Sequence, residues 1–169
     1  MFALLKKAYI GLAAALDRTQ SLFILAVRLY WGWQLAQNGW GKLHGIERVS
    51  AYFQSLNVPA PQATAVMVSS LEFVGGILLI LGLGSRLIAI PLTVNMLAAY
   101  YFGDREALFS IFTEPGKFYA ADPYTFLFAS AFILIFGAGV FSLDYLLFRR
   151  SSAQGDERRI QVEAKSLIA

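Results

Sequence analysis

Long apolar runs alternate with short polar connections along this chain, and the runs are long enough to cross a bilayer as helices. The spans that we expect are, in chain order, Ser21 to about Leu43, Ala63–Gly84, Leu87–Phe102 and Tyr124–Leu143. The last of them has no Asp, Glu, Lys or Arg, and about 20 apolar residues suffice to cross the hydrocarbon core. The pattern predicts an all-α, polytopic membrane protein built as a four-transmembrane-helix bundle.

Two flanking segments differ in composition from this core. Residues 1–20 are expected to form an amphipathic helix on the membrane surface, with a frayed tail as the alternative, because their apolar residues recur at helical spacing. Those residues are Phe2, Leu4, Leu5, Tyr9, Leu12 and Leu16. Residues 149–169 are polar and charged, which is typical of a solvated or disordered tail. The expected division is therefore 1–20, 21–148 and 149–169.

The connection between the first and second spans and the connection between the third and fourth spans differ in length. Residues 45–62 are expected to form a loop or short interfacial helix that ends in a turn at Asn57–Pro61, because two prolines block helix continuation there. Residues 103–123 combine charges with many aromatic side chains. A fully solvated loop does not need so many aromatics, so we expect an interfacial or partly re-entrant segment that caps the bundle.

Composition narrows the functional classes. Hydrophobic residues make up 57% of the 169-residue chain and charged residues 15%, which is more apolar than typical soluble domains. The net charge is only +3 and no basic stripe is interleaved with aromatics, so nucleic-acid binding is not expected. The chain contains no cysteine, which excludes a disulfide or a thiol redox cycle of its own. His44 is the single histidine, and we expect no metal site.

The distribution of Lys and Arg predicts the orientation. Of the 14 basic residues, nine lie in the N-terminal segment, the second connection and the C-terminal tail, and four lie at the first and third connections. Cytoplasmic segments carry the excess of basic residues, so both termini are expected in the cytoplasm.

Two charges lie well inside apolar runs. Glu72 follows the start of the second span by nine residues, and Arg28 lies inside the first. A charge at the bilayer centre costs roughly +2.5 to +3.5 kcal/mol on insertion scales unless it finds a partner or water. We therefore expect the side chains of Arg28 and Glu72 to form an ion pair between the two helices.

Other polar and small residues share faces with this expected pair. On the first span, Arg28, Trp31, Asn38 and Lys42 fall in one stripe, and Gly32 and Gly39 border it. On the second span, Ser69 and Gly76 share the face of Glu72, with Gly75 and Gly82 at its edge. Such small residues allow close helix packing.

An arginine has five N–H donors, and one carboxylate satisfies only some of them. This surplus suggests a polar cavity that holds the headgroup of a hydrophobic ligand, with a quinone or a lipid as candidates. Arg28 would donate to a ligand carbonyl, Glu72 would hold Arg28 or take a proton, and Trp31 and Tyr100 would flank a ring. Second-tier candidates are Asn38, Lys42 and Asn95. The alternative is an ion pair that only fixes helix register.

The pattern formed by several of these residues resembles that of a known protein family. Arg28-Leu29, residues 39–43, Pro59, the run Glu72–Gly82 and Arg86 resemble the DoxX family of small four-helix bacterial membrane proteins. The resemblance covers about residues 22–143. Asn57 departs from it where a glycine is expected, and Tyr100-Tyr101 stand where many relatives have a more polar helix end. The first departure affects only a turn, and the second weakens the transfer of a specific redox role.

The resemblance implies a multi-pass protein of the bacterial inner membrane. Family members are linked with membrane oxidoreductase assemblies, including quinone-linked ones, while many others have no assigned activity. The expected function is therefore a membrane subunit or anchor of a quinone-linked redox assembly, with membrane lipids, a redox subunit or a second copy as partners. The alternative is a non-catalytic interaction or assembly protein. A small carrier or channel is disfavoured, since no inverted repeat is present. No catalytic residue is identified, and whether the protein is an enzyme stays open.

Overall fold

The computed structural model describes residues 2–147, and all of the regular structure within that range is helical. The helices are α1 (Phe2–His44), α2 (Ile46–Ser55), α3 (Pro61–Leu81), α4 (Ser85–Gly103), α5 (Arg105–Phe109), α6 (Pro115–Ala120) and α7 (Pro123–Phe136). Residues 143–147 are helical again. The predicted polar tail, 149–169, lies outside the described residues.

The four long helices form a closed ring. Helix α1 packs on α3, α3 on α4, α4 on α7, and α7 packs back on α1. Each contributes a large, fully buried aliphatic side chain to the shared core: Leu35, Leu79, Leu92 and Ile133. The all-α fold class is confirmed.

Helix α1 is much longer than the predicted first span. It runs without a break for 43 residues, from Phe2 to His44, which corresponds to roughly 65 Å. The division expected at residue 20 is therefore not a helix end. Placement of the first 20 residues on a membrane surface stays a prediction.

Glycines set the distance between α1 and α3. A Cβ at Gly39 would lie 2.7 Å from the Cα of Phe73, and a Cβ at Gly76 would lie 2.5 Å from the backbone nitrogen of Ala36. No side chain fits at either position, so the two backbones are in direct contact. The expectation that small residues on these faces permit close packing is confirmed.

The predicted fourth span is only partly helical. Helix α7 ends at Phe136 after 14 residues, and residues 137–142 are not helical. Gly137 and Gly139 in this stretch have φ of 77° and 71°, in the left-handed region that glycine adopts at low cost. The prediction of one helix over Tyr124–Leu143 is therefore wrong, because these glycines turn the chain back toward α1.

Within residues 2–147, one helix is both long and apolar enough to cross a membrane by length and composition, namely α3. Helix α7 is apolar but shorter. The four-span membrane arrangement is thus not established by these criteria.

The connection between α1 and α3 and the connection between α4 and α7 both contain short helices. The first contains α2, which packs on α3, and ends with Asn57 at φ 56°, the left-handed conformation that asparagine tolerates. The second contains α5 and α6, and Phe118 of α6 is buried while Phe112 between them is 93% exposed.

The close α1–α3 contact can be tested with one methyl group. Gly39→Ala should lower the thermal stability of the protein in detergent by about 1–3 kcal/mol, because the methyl overlaps the backbone of α3. Gly41→Ala is the matched control, since a Cβ at Gly41 meets nothing within 4 Å. Alanine is the better helix former, so the control should be neutral or slightly stabilising. Equal melting temperatures for the two variants would contradict the packing described here.

Candidate functional site

Arg28 is enclosed by backbone carbonyl groups. Its side chain is 1% exposed, and its Nε donates to the oxygen of Leu79 at 2.8 Å, while Nη2 donates to Ile80 at 2.9 Å. Nη1 donates to the oxygens of Ala138 at 2.6 Å and Phe141 at 2.8 Å. Four of the five N–H groups of the guanidinium are therefore occupied by the chain itself. We call Arg28 and these four carbonyls the Arg28 clasp.

The clasp engages carbonyls at a helix end and in irregular backbone. Leu79 and Ile80 belong to the last turn of α3, where the oxygen of Leu79 also accepts a hydrogen bond from the backbone N–H of Gly82 at 3.1 Å. Ala138 and Phe141 belong to the non-helical stretch after α7. A cation is also favoured at a helix C-terminus by the helix dipole. Arg28 thus joins α1, the end of α3 and the chain after α7.

Asp144 extends this arrangement to the start of α4. Its Oδ1 accepts a hydrogen bond from the backbone N–H of Gly84 at 2.7 Å, and its Oδ2 accepts one from Ser85 at 2.9 Å. Its own N–H donates to the oxygen of Gly82 at 2.9 Å. The carboxylate therefore caps the N-terminus of α4, the end of a helix that favours negative charge.

Glu72 has a different set of partners. The Nζ of Lys42 lies 2.7 Å from both carboxylate oxygens, and the Nδ2 of Asn95 donates to Oε1 at 3.2 Å. Glu72 is 3% exposed, whereas the side chain of Lys42 is 38% exposed. These three residues, the Glu72 cluster, connect α1, α3 and α4.

The predicted Arg28–Glu72 ion pair is therefore wrong. Helices α1 and α3 are antiparallel, so later residues of α1 face earlier residues of α3. Gly39 already lies against Phe73, which places Glu72 beside Lys42. Arg28 is 14 residues before Lys42, or about 21 Å along the helix, and meets the end of α3 instead.

The remaining predicted site residues are not brought together. Tyr100 is fully buried, donates its hydroxyl to the oxygen of Phe118 at 2.6 Å and stacks on the Phe118 ring at 4.8 Å. It therefore fixes α6 on α4. Trp31 is half-buried against the core, and Asn38 is exposed. The structure unites Lys42, Glu72 and Asn95 among the predicted set.

Sequence reasoning missed two roles. Asp144 is not among the predicted site residues, although a carboxylate can cap the N-terminus of any helix that the fold brings near it. Lys42 was placed in the second tier, although the antiparallel register of the first two spans would have matched it with Glu72. The signal for Lys42 was present in the sequence, while that for Asp144 was not.

The capping segment carries an exposed charge cluster. Lys117 lies 3.0 Å from Glu106 and 3.2 Å from Glu114, and these hydrogen bonds raise the pKa of Lys117. Exposed ion pairs of this kind contribute little to stability. Among residues 2–147, no group of three His, Asp or Glu side chains is arranged to hold a metal ion.

Comparison with known proteins agrees with the sequence resemblance. The DoxX family model matches residues 23–105. An uncharacterized membrane protein of Mycobacterium tuberculosis is 30% identical over 114 residues, which covers 61% of this chain and 67% of the relative. The chain belongs to the DoxX family. It is a DoxX-family membrane protein, and no solved structure matches it.

The family match covers only part of the two buried arrangements. Lys42, Glu72 and Asn95 all lie within the matched residues of this DoxX-family protein, as does Arg28. Asp144 and the carbonyls after α7 lie beyond them. The Glu72 cluster is thus contained in the region that defines the family, while the clasp extends outside it.

Double-mutant cycles should separate the two buried charges. Arg28→Gln and Glu72→Gln should each destabilise the protein in detergent by roughly 3–5 kcal/mol, because each leaves buried partners unsatisfied. Their effects should add, since the two sites share no partner. Lys42→Gln combined with Glu72→Gln should instead recover part of the loss. Thermal unfolding of all variants measures both cycles, and strong coupling between positions 28 and 72 would contradict the structure.

Proposed function

We propose that this DoxX-family protein is a non-catalytic membrane interaction or assembly protein in which Arg28 and Glu72 have structural roles. The observation that carries this proposal is the Arg28 clasp, which engages four N–H groups of a cation that is 1% exposed with the backbone of the same chain. A guanidinium held in this way supports the helix arrangement and has little capacity left for a ligand.

The Glu72 cluster supports the same proposal. Both carboxylate oxygens accept from Lys42, and Oε1 also accepts from Asn95, so the buried charge is neutralised within the chain. Breaking a buried ion pair is costly, whereas replacing both partners by apolar groups is often neutral. This difference provides the test.

Lys42→Met combined with Glu72→Leu should leave the protein folded and able to enter the same complexes as the wild type. Migration in native gels of mildly solubilised membranes measures complex formation, and thermal unfolding measures folding. Glu72→Leu alone is the control, because it leaves the Lys42 ammonium unpaired and should destabilise. A wild-type protein that migrates as a free monomer would contradict the assembly role. A folded double variant that has lost the complex would show that the charges themselves carry function.

The proposed membrane arrangement has four spans, with both termini in the cytoplasm of a bacterium and the chain in its inner membrane. Support comes from the closed ring of α1, α3, α4 and α7 and from the nine-to-four distribution of basic residues. The Arg28 clasp favours a position at membrane depth for the stretch after α7, because it satisfies two of the carbonyls there. Large apolar side chains also face outward from these helices: Trp33, Met67, Ile77, Leu87, Val94 and Ile135.

Reporter fusions test this arrangement. Reporters inserted after Leu56 and after Lys117 should both be active on the periplasmic side, since both positions follow spans that run outward from the cytoplasm. A reporter at Ser85, the first residue of α4 after the turn from α3, should be cytoplasmic. A cytoplasmic result at Leu56 or Lys117 would contradict the orientation or the number of spans.

A second candidate is the membrane anchor of a quinone-linked redox assembly. The observation that favours it is the partial exposure of Lys42, whose ammonium has three N–H donors and only one carboxylate partner. Asn38, one helical turn away, is exposed. A ligand carbonyl could accept from Lys42 while Glu72 and Asn95 hold the lysine in place.

Quinone analogues should separate the two candidates. A ligand at 100 times its dissociation constant stabilises a protein by roughly 2.7 kcal/mol, and the gain should vanish in Lys42→Met/Glu72→Leu. Lipid mass spectrometry of gently extracted protein should then show a co-purified quinone. Unchanged unfolding temperatures throughout the titration would favour the assembly role alone.

A further inference from the structure

Three amide side chains lie on one face of α1, toward the end of the helix. Gln34, Gln37 and Asn38 are followed by Gly41, and the spacing of these four positions places them on one side of a helix. Gln37 and Asn38 are exposed, Gln34 is partly buried, and a Cβ at Gly41 would meet nothing within 4 Å. We call these four residues the amide face.

The amide face points away from the main contact of α1. Gly32, Ala36 and Gly39 lie against α3. Each of them precedes a member of the amide face by two residues, which corresponds to about 200° around the helix. The face therefore lies on the side of α1 opposite to α3, where it is accessible from outside the bundle.

The amides differ from the charged residues of α1 in their hydrogen bonding. Between Ser21 and Leu43 the charged residues are Arg28 and Lys42, and both are paired within the chain, in the Arg28 clasp and the Glu72 cluster. No hydrogen bond joins the three amide side chains to any group within residues 2–147. Each amide has two N–H donors and one acceptor oxygen. The face thus presents donors and acceptors together and carries no charge.

In the proposed four-span arrangement these amides lie inside the membrane. They precede His44, the last residue of α1, by six to ten residues, or roughly 9–15 Å along the helix axis. Lipid tails offer no hydrogen bonds, so polar groups that face lipid at this depth are costly. Amides of membrane helices pair instead across contacts between helices. The amide face therefore requires a second helix that supplies both donors and acceptors.

We infer that the amide face binds the same face of a second copy of this chain. An amide is complementary to itself, since its N–H groups can donate to the oxygen of an identical amide. An oxidised quinone presents only acceptors and would leave the amide oxygens unpaired. Copies inserted into one membrane share one orientation, so the two faces meet as a parallel pair across a two-fold axis. The open space at Gly41 admits the second helix.

The inference names a partner for the proposed assembly role, and it rests on that role and on the proposed four-span arrangement. Neither of the two depends on it in turn, because other surfaces of the protein could support an assembly. The experiments below therefore measure the pairing separately from the presence of a larger complex.

Single cysteines test the pairing, because the chain has none of its own. Gln34→Cys and Gly41→Cys should form disulfide-linked dimers when membranes are oxidised, since both lie at the centre of the face and a two-fold pair brings identical residues within disulfide range. Leu29→Cys is the matched control, because Leu29 is 45% exposed but lies about 140° around the helix from Gln34. Equal cross-linking at all three positions, or none at the two face positions, would overturn the inference.

Removal of the amides gives an independent readout on the full chain. The triple variant Gln34→Leu, Gln37→Leu and Asn38→Leu should be a monomer by mass measurement in mild detergent, where the wild type is a dimer. Its unfolding temperature at a concentration where both are monomeric should not fall, because the amides have no partner in their own chain. Gln54→Leu combined with Gln62→Leu is the matched control and should stay dimeric, since these exposed amides lie on α2 and α3.

A triple variant that keeps the mass of the wild type would overturn the inference, as would a wild type that is monomeric in the mass measurement. If the wild type still migrates in a larger complex in native gels in either case, the assembly role stands without this pairing. A wild type that is monomeric in both assays would contradict the assembly role as well.

Discussion

The structure depends on one cation whose partners are backbone groups. A charge inside a helical bundle in a membrane needs compensation, and Arg28 obtains it from four carbonyl oxygens. Two of these belong to a helix C-terminus, where the dipole adds to the attraction. The planar fork of a guanidinium can contact several carbonyls in fixed directions, which a lysine ammonium cannot reproduce. The position is therefore specific for arginine, although Arg28 binds no side chain of opposite charge.

The clasp and the Glu72 cluster lie near opposite ends of the contact between α1 and α3. Between them, the glycines at positions 32, 39 and 76 bring the two backbones together. A sliding movement of one helix would break hydrogen bonds at both ends and create steric overlap in the middle. Two polar anchors and a contact of small residues thus fix a single register. This is the best-attested use of buried polar groups, which contribute more to specificity than to stability.

The sequence was sufficient to predict what depends on local pattern. It indicated the helical class, the small-residue faces of α1 and α3, and the need of Glu72 for a partner. The choice of cation depends on the antiparallel register of α1 and α3, which joins residues 30 positions apart, and a match by depth and face alone does not take this register into account. Arg28 and Glu72 matched by depth and by face, yet the structure places Lys42 at Glu72.

The stretch after α7 was harder to predict for a different reason. Residues 137–142 carry no charge, so hydropathy alone continues the helix, although Gly137 and Gly139 are of the type that marks a break. The bonds that stabilise the break join Arg28 to carbonyls 110 and 113 residues away in sequence. No local pattern encodes such contacts.

This break also accounts for the short length of α7 in the proposed four-span arrangement. Helix α7 has 14 residues, or about 21 Å, which is less than the hydrocarbon thickness of about 30 Å. In the proposed four-span arrangement the non-helical stretch would supply the missing length, and each unsatisfied carbonyl there would cost several kcal/mol in lipid. Arg28 satisfies two of them, and the next helical turn, beginning at residue 143, places Asp144 against the start of α4. The buried arginine and the irregular backbone therefore depend on each other, since each provides the partners that the other lacks.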